Sequence, residues 1–102
     1  MYKVLAHELA AQELEDLPDR LRGQMYRLIE RLEKEGQLKM PHSRVVGGGL
    51  FELRAGGENI ARTLYCYAKG HQIYLLHAFV KKTETTPAKA IKLARQRLED
   101  FE

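Results

Sequence analysis

The sequence predicts a small α+β domain of order β-α-α-β-β-β-α, with a helical hairpin packed on an antiparallel sheet. Three observations carry this. Apolar residues recur at helical spacing only in 8–35 and beyond 87, while the β-rich runs fall at 2–6, 50–54, 60–68 and 72–80. Short Gly-containing turns separate the last three of those runs, as hairpins require. The chain of 102 residues, 44% hydrophobic, suffices for one core, so a single domain over 1–102 is expected.

The elements follow in order. Residues 2–6 (YKVLA) read as a short strand, and Leu9, Leu14 and Leu17 place a helix over Glu8 to Leu17. Pro18 fits the first turn of a second helix better than the interior of one long helix. That helix should run from Pro18 to Glu35, burying Leu21, Met25, Leu28, Ile29 and Leu32, with an outer face of mixed charge and Gly36 as its stop. Pro41 and the triplet Gly47-Gly48-Gly49 mark 37–49 as loop or turn. Leu50 to Arg54 alternates, with Phe51 and Leu53 on one face and Glu52 and Arg54 on a polar one. Residues 60–68 and 72–80 complete a three-strand meander, the last run being nearly continuous and apolar like a central strand. Thr86-Pro87 reads as an N-cap and first helical residue, opening a helix that turns Ile91, Ala94, Leu98 and Phe101 inward.

Composition excludes several classes. No apolar run approaches the roughly 18 residues of a membrane span. The first residues lack a basic region followed by a long apolar stretch, so no secretory signal is expected and the cytoplasm is the predicted compartment. One cysteine, Cys66, forms no internal disulfide and by itself supplies no zinc site; it reads as a small buried strand residue. The four histidines are far apart in sequence, so no metal or other cofactor is expected. Ser43, the one serine, sits in no nucleophile-elbow sequence, and the glycine triplet precedes a strand instead of the helix that a phosphate loop needs. A flexible approach to the strand explains the glycines better.

Charge is distributed unevenly. Residues 1–51 carry eight basic and eight acidic side chains, whereas between Arg54 and Arg97 nine basic residues meet only Glu58 and Glu84. Such a segment builds either a solvated surface or a surface for a polyanion, phosphate backbones above all. Arg62 lies between Ile60 and Leu64 on an otherwise apolar strand face, where a guanidinium needs an anion; a bound phosphate or the internal Glu52 would serve. Lys81 and Lys82 end the most buried strand, and His77 lies on the same parity as Phe79 and Lys81. Tyr65 and Tyr67 could stack bases or pack in the core.

These groups suit metal-free RNA cleavage, in which the 2′-OH attacks the adjacent phosphate. A base removes that proton, cations stabilise the phosphorane, and an acid protonates the leaving 5′-oxygen. Lys81 or Lys82, its affinity for a proton lowered by its neighbour, could act as base, and His77 or Tyr65 as acid.

Gly49-Leu50-Phe51-Glu52-Leu53-Arg54, Arg62-Thr63-Leu64-Tyr65, and Leu76 to Thr83 followed by Thr86-Pro87 and a basic helix together resemble the RelE/ParE toxin superfamily. The likeness is to its phage-derived Gp49-like, HigB-type branch. Leu17-Pro18, Gly36 and Pro41-His42 extend it over nearly the whole chain. The resemblance implies a type II toxin that cuts mRNA in the ribosomal A site and inhibits translation. On the same fold, the alternatives are a ParE-like gyrase inhibitor or a non-catalytic RNA-binding module. It implies that Arg62 contacts the scissile phosphate and that Lys81 or Lys82 is the basic residue after the strand. Arg54, Lys69 and Lys89 complete the expected RNA-binding set. The best-understood relative also uses a tyrosine near its C-terminus, whereas this chain has none after Tyr74. The expected partners are a HigA-like helix-turn-helix antitoxin, in a higher-order complex, and the ribosome with its mRNA.

Overall fold

The computed structural model describes residues 1–57, 60–81 and 85–102. Strand β1 (Lys3–Ala6) leads into helices α1 (Glu8–Glu15) and α2 (Asp19–Glu35). Strands β2 (Ser43–Gly47), β3 (Leu50–Ala55), β4 (Ala61–Ala68) and β5 (Gln72–Val80) follow, then helix α3 (Ala88–Leu98) and a short 3₁₀ turn (Glu99–Phe101). The five strands form one sheet in the order β1-β5-β4-β3-β2, antiparallel except where β1 runs parallel to β5. The fold class is the one the sequence predicts.

The sheet is larger than the expected meander. Part of the stretch read as loop is β2, which pairs antiparallel with β3 and sets Arg44 opposite Glu52 and Val45 opposite Phe51. The glycine triplet makes the connecting hairpin possible. Gly47, Gly48 and Gly49 have φ of 120°, 59° and 87°, values that side chains resist.

Helix ends differ from expectation for identifiable reasons. The ring of His7 caps α1 by accepting from the Leu9 N–H at 3.1 Å, and the helix stops at Glu15, short of Leu17. Pro18 is extended (φ −52°, ψ 143°) and is the N-cap of α2, not its first helical residue. Gly36 ends α2 as expected, in the left-handed region at φ 78° with its N–H on the Leu32 carbonyl at 2.7 Å. At α3 the N-cap is Pro87; the Thr86 hydroxyl makes no cap because it donates instead to Glu52.

Helix α1 packs chiefly on β5 and α2 on β3, each more on the sheet than on the other helix of the expected hairpin. Leu14, Leu17, Met25, Leu28 and Leu32 meet Leu53, Tyr65, Ile73, Leu75 and Ala78 on one face of the sheet. On the other, α3 presses Ala90, Ala94 and the half-buried Ile91 and Leu98 onto Leu50, Leu64, Cys66 and Leu76. Removing a fully buried leucine such as Leu32 costs about 2–5 kcal/mol. Because both faces are covered, β3 and β4 are buried throughout apart from their ends. The polar face expected of β3 is therefore interior, and its charges must be neutralised there.

Candidate functional site: a guanidinium cluster on the sheet

Pairing register builds the site. Arg44, Glu52, Leu64 and His77 occupy one row across β2, β3, β4 and β5, while Arg54, Arg62 and Phe79 occupy the next. Alternation puts these side chains on the α3 face. Glu52 is fully buried, Arg62 is 1% exposed and Arg54 4%, with Arg44 the most accessible at 29% of its side chain. Arg44 Nε lies 3.3 Å from Glu52 Oε1, Arg54 Nε 3.6 Å from the same oxygen, and Arg62 Nη1 3.9 Å from Oε2. The Thr86 hydroxyl, at the head of α3, donates to Oε2 at 2.5 Å and accepts from Arg44 Nη2 at 3.3 Å. Among the described residues, three guanidinium groups thus converge on one carboxylate. Glu52 is the internal anion that the Arg62 position required, and it serves Arg54 and Arg44 as well.

A second cluster holds His77. Glu13 of α1 accepts from Arg97 through both oxygens, at 2.7 and 2.9 Å, and from the Ala78 N–H at 3.1 Å. His77 Nδ1 stands 2.9 Å from Glu13 Oε1. An ionised carboxylate only accepts, so Nδ1 carries the proton and Nε2 is the atom left to exchange one. The Arg97 Nη1 atom 3.4 Å from Nδ1 is then a close approach between donors. Burial raises the Glu13 pKa, but the bonds from Arg97, His77 and Ala78 outweigh it and hold the carboxyl below its ordinary value. The His77 ring stacks on Phe79, with centroids 4.8 Å apart.

The other expected site residues divide. The Lys81 N–H donates to the Ile60 carbonyl at 2.6 Å, which continues the β4–β5 pairing and gives Lys81 the parity of Phe79 and Arg62. Lys82 lies outside the described residues. Lys89 is exposed in the first turn of α3, three residues past Thr86. Lys69 is not brought to the cluster: it sits in the turn after β4, seven residues from Arg62, roughly 23 Å along the strand. Tyr65 must also be corrected. It lies on the opposite face, 1% exposed, bonded to the Ser43 hydroxyl at 2.7 Å and stacked on Phe51. Burial raises its pKa despite that bond, so neither proton transfer to the arginine face nor base stacking is open to it. Tyr67 donates to the Gly36 carbonyl at 2.6 Å and packs edge-on against Phe51 and Tyr65. Cys66 is buried as expected, and burial pushes its thiol up, away from nucleophilic use.

Sequence reasoning missed Arg44, Thr86 as a site residue, and the Glu13–Arg97 pair. Arg44 had a readable signal, since the β-branched pair Val45-Val46 follows it directly into a glycine turn. Glu13 and Arg97 lie 84 residues apart and had none.

Three comparisons bear on the site. The family described as phage-derived protein Gp49-like (DUF891) matches residues 12–99. No curated protein matches the chain. Among solved structures, a mutant of the Escherichia coli toxin RelE in the free state is similar, with a TM-score of 0.69 and 13% identity over 95% of this chain and 97% of that one. A chain of the RelB–RelE antitoxin–toxin complex from Methanococcus jannaschii is similar with a TM-score of 0.60 and 14% identity, over 95% of this chain and 96% of that one. At such identities the likeness is one of fold.

Proposed function

This chain belongs to the phage-derived Gp49-like family, and we propose that it is the toxin of a type II toxin–antitoxin pair, a metal-independent endoribonuclease that cuts mRNA on the ribosome. The observation that carries the reading is the convergence of Arg44, Arg54 and Arg62 on Glu52, because buried guanidinium groups are strong stabilisers of a phosphorane. The RelE fold and the RelB–RelE antitoxin–toxin complex support the reading and a protein antitoxin; that the antitoxin is HigA-like rests on the resemblance of the sequence alone.

Chemically, Arg62 is too buried to meet a phosphate until its surroundings give way. The phosphate meets the more exposed Arg44 first and takes the place of the Glu52 carboxylate, one anion exchanging for another so that the arginines are never left without a counter-charge. Arg62 and Arg54 then hold the scissile phosphate. Lys81 or Lys82 accepts the 2′-OH proton, and His77, held by Glu13, gives a proton from Nε2 to the leaving 5′-oxygen. The ribosome supplies the ordered substrate in the cytoplasm.

The test is induction of the protein followed by mapping of mRNA 5′ ends. In-frame cuts in translated messages, lost in Arg62→Ala and in Lys82→Ala, support the nuclease. Intact messages with double-strand DNA breaks overturn it in favour of gyrase inhibition, and growth arrest with neither overturns it in favour of RNA binding alone.

A further inference from the structure

Helix α2 sorts its charges more sharply than the neutral count of the N-terminal half suggests. Arg20, Gln24, Arg27 and Arg31 recur at i, i+4, i+7 and i+11, which at 100° per residue is one narrow stripe. Asp19, Glu30 and Glu33 turn to the far flank, where Arg22 pairs with Asp19 at 2.9 Å, and Glu35 borders the arginine stripe. The arginine stripe borders the core stripe of Leu21, Met25, Leu28 and Leu32, and so lies beside the end of the sheet while staying open to solvent.

There it walls a groove of about 590 Å³ whose other side includes His42 and Arg54. Arg20, Arg27 and Arg31 are exposed, and among the described residues Arg20 and Arg27 make no ion pair. Arg31 reaches Glu35 at 3.2 Å, a solvent-exposed pair that a stronger anion displaces. No carboxylate among the described residues lines the groove. Arg54 lines this groove at the end of β3 while its guanidinium, 3% exposed, stays with Glu52, so the groove abuts the cluster without sharing that charge.

We propose that this groove is a second binding site, for the phosphate backbone of an RNA strand that continues from the cleavage cluster. Arg20 and Arg27 are about 10 Å apart along the helix and Arg27 and Arg31 about 6 Å, a linear row that matches a chain of repeated charges better than a single anion. An acidic protein segment is the poorer fit. Such interfaces centre on apolar anchors, and no exposed large apolar side chain lines this groove, Leu28 being buried. The proposal rests on the ribonuclease reading for its substrate, yet it is measured by binding alone.

The probe is a fluorescein-labelled 2′-O-methyl oligouridylate, which lacks the attacking hydroxyl, titrated by anisotropy at several salt concentrations. The triple variant Arg20→Ala/Arg27→Ala/Arg31→Ala should bind at least about tenfold more weakly, with a slope of log K against log salt flatter by about 2. The Arg→Lys triple should retain binding, and unchanged circular dichroism excludes misfolding. Wild-type affinity and slope in the alanine triple overturn the proposal. Retained RNA affinity with lost binding of the antitoxin overturns it in favour of a protein-docking role. If the wild type leaves messages intact while the alanine triple loses RNA, the cleavage reading fails and the groove stands.

Discussion

Arg54 and Arg62 stand directly opposite one another on β3 and β4, both almost wholly out of water. Like charges at opposed positions oppose sheet pairing. The arrangement persists because Glu52, two pairs along the ladder, lies within ion-pair distance of both. A fold needing only stability is as well served by apolar residues there. The cost is understandable where phosphate chemistry needs concentrated, preorganised positive charge.

Glu52→Gln should therefore destabilise the protein by about 3–5 kcal/mol in urea unfolding, since it leaves buried guanidinium groups without their carboxylate. Adding Arg62→Met to that variant should restore part of the loss. A single-variant effect below about 1 kcal/mol would show that Glu52 is not their principal counter-charge.

Glu13 gives the acid limb of stability a definite sign. Its folded pKa is lowered from 4.5, so its contribution is complete above that value and disappears as pH falls through the folded pKa. Stability of the wild type should exceed that of Glu13→Gln at neutral pH, with the two curves converging on acidification. Parallel curves in denaturant titrations from neutral to strongly acid pH would remove Glu13 from this role.

Tyr67 acts in the opposite direction. Burial, with Tyr65 and Tyr2 nearby, raises its pKa above 10.0, so the stability it contributes holds below pH 10 and falls as pH rises toward the folded value. Tyr67→Phe should cost about 1–3 kcal/mol by orphaning the Gly36 carbonyl, and should flatten the alkaline limb. Thermal melts of both proteins at neutral and alkaline pH measure the two effects.

Gly36 and Gly49 separate backbone strain from steric overlap. A Cβ at Gly36 overlaps the Tyr2 ring at φ 78°, whereas at Gly49, φ 87°, it meets open space. Gly49→Ala should cost about 1 kcal/mol, and Gly36→Ala clearly more. Equal shifts in urea midpoint would mean that Tyr2 moves aside freely.

Much of this architecture was legible because its signals are local. Gly36, the α2 stripe and the β4 and β5 runs each announce themselves within a few residues. The candidate site was half legible. Arg62 on an apolar face demanded an anion, and Glu52 was the nearby choice. Alternation along β4 sets Tyr65 on the face opposite Arg62 and Leu64, against its expected role as acid, but does not say which helix covers that face. It also could not foresee the β-bulge between Leu64 and Tyr65 that resets the pairing with β5. The hidden remainder is long-range: Thr86 on Glu52 and Arg97 on Glu13 join residues 34 and 84 positions apart.

Those two long-range contacts give the protein a timetable. Helix α3 is synthesised after every strand, yet it supplies the Thr86 bond to the arginine cluster and the Arg97 grip that ties α1 to β5. A chain still being translated can pair its β2–β3–β4 hairpins while the face that α3 covers stays bare and Glu52 and Glu13 lack these partners. Assembly of the candidate centre in that sense waits for α3, which follows every strand in the chain.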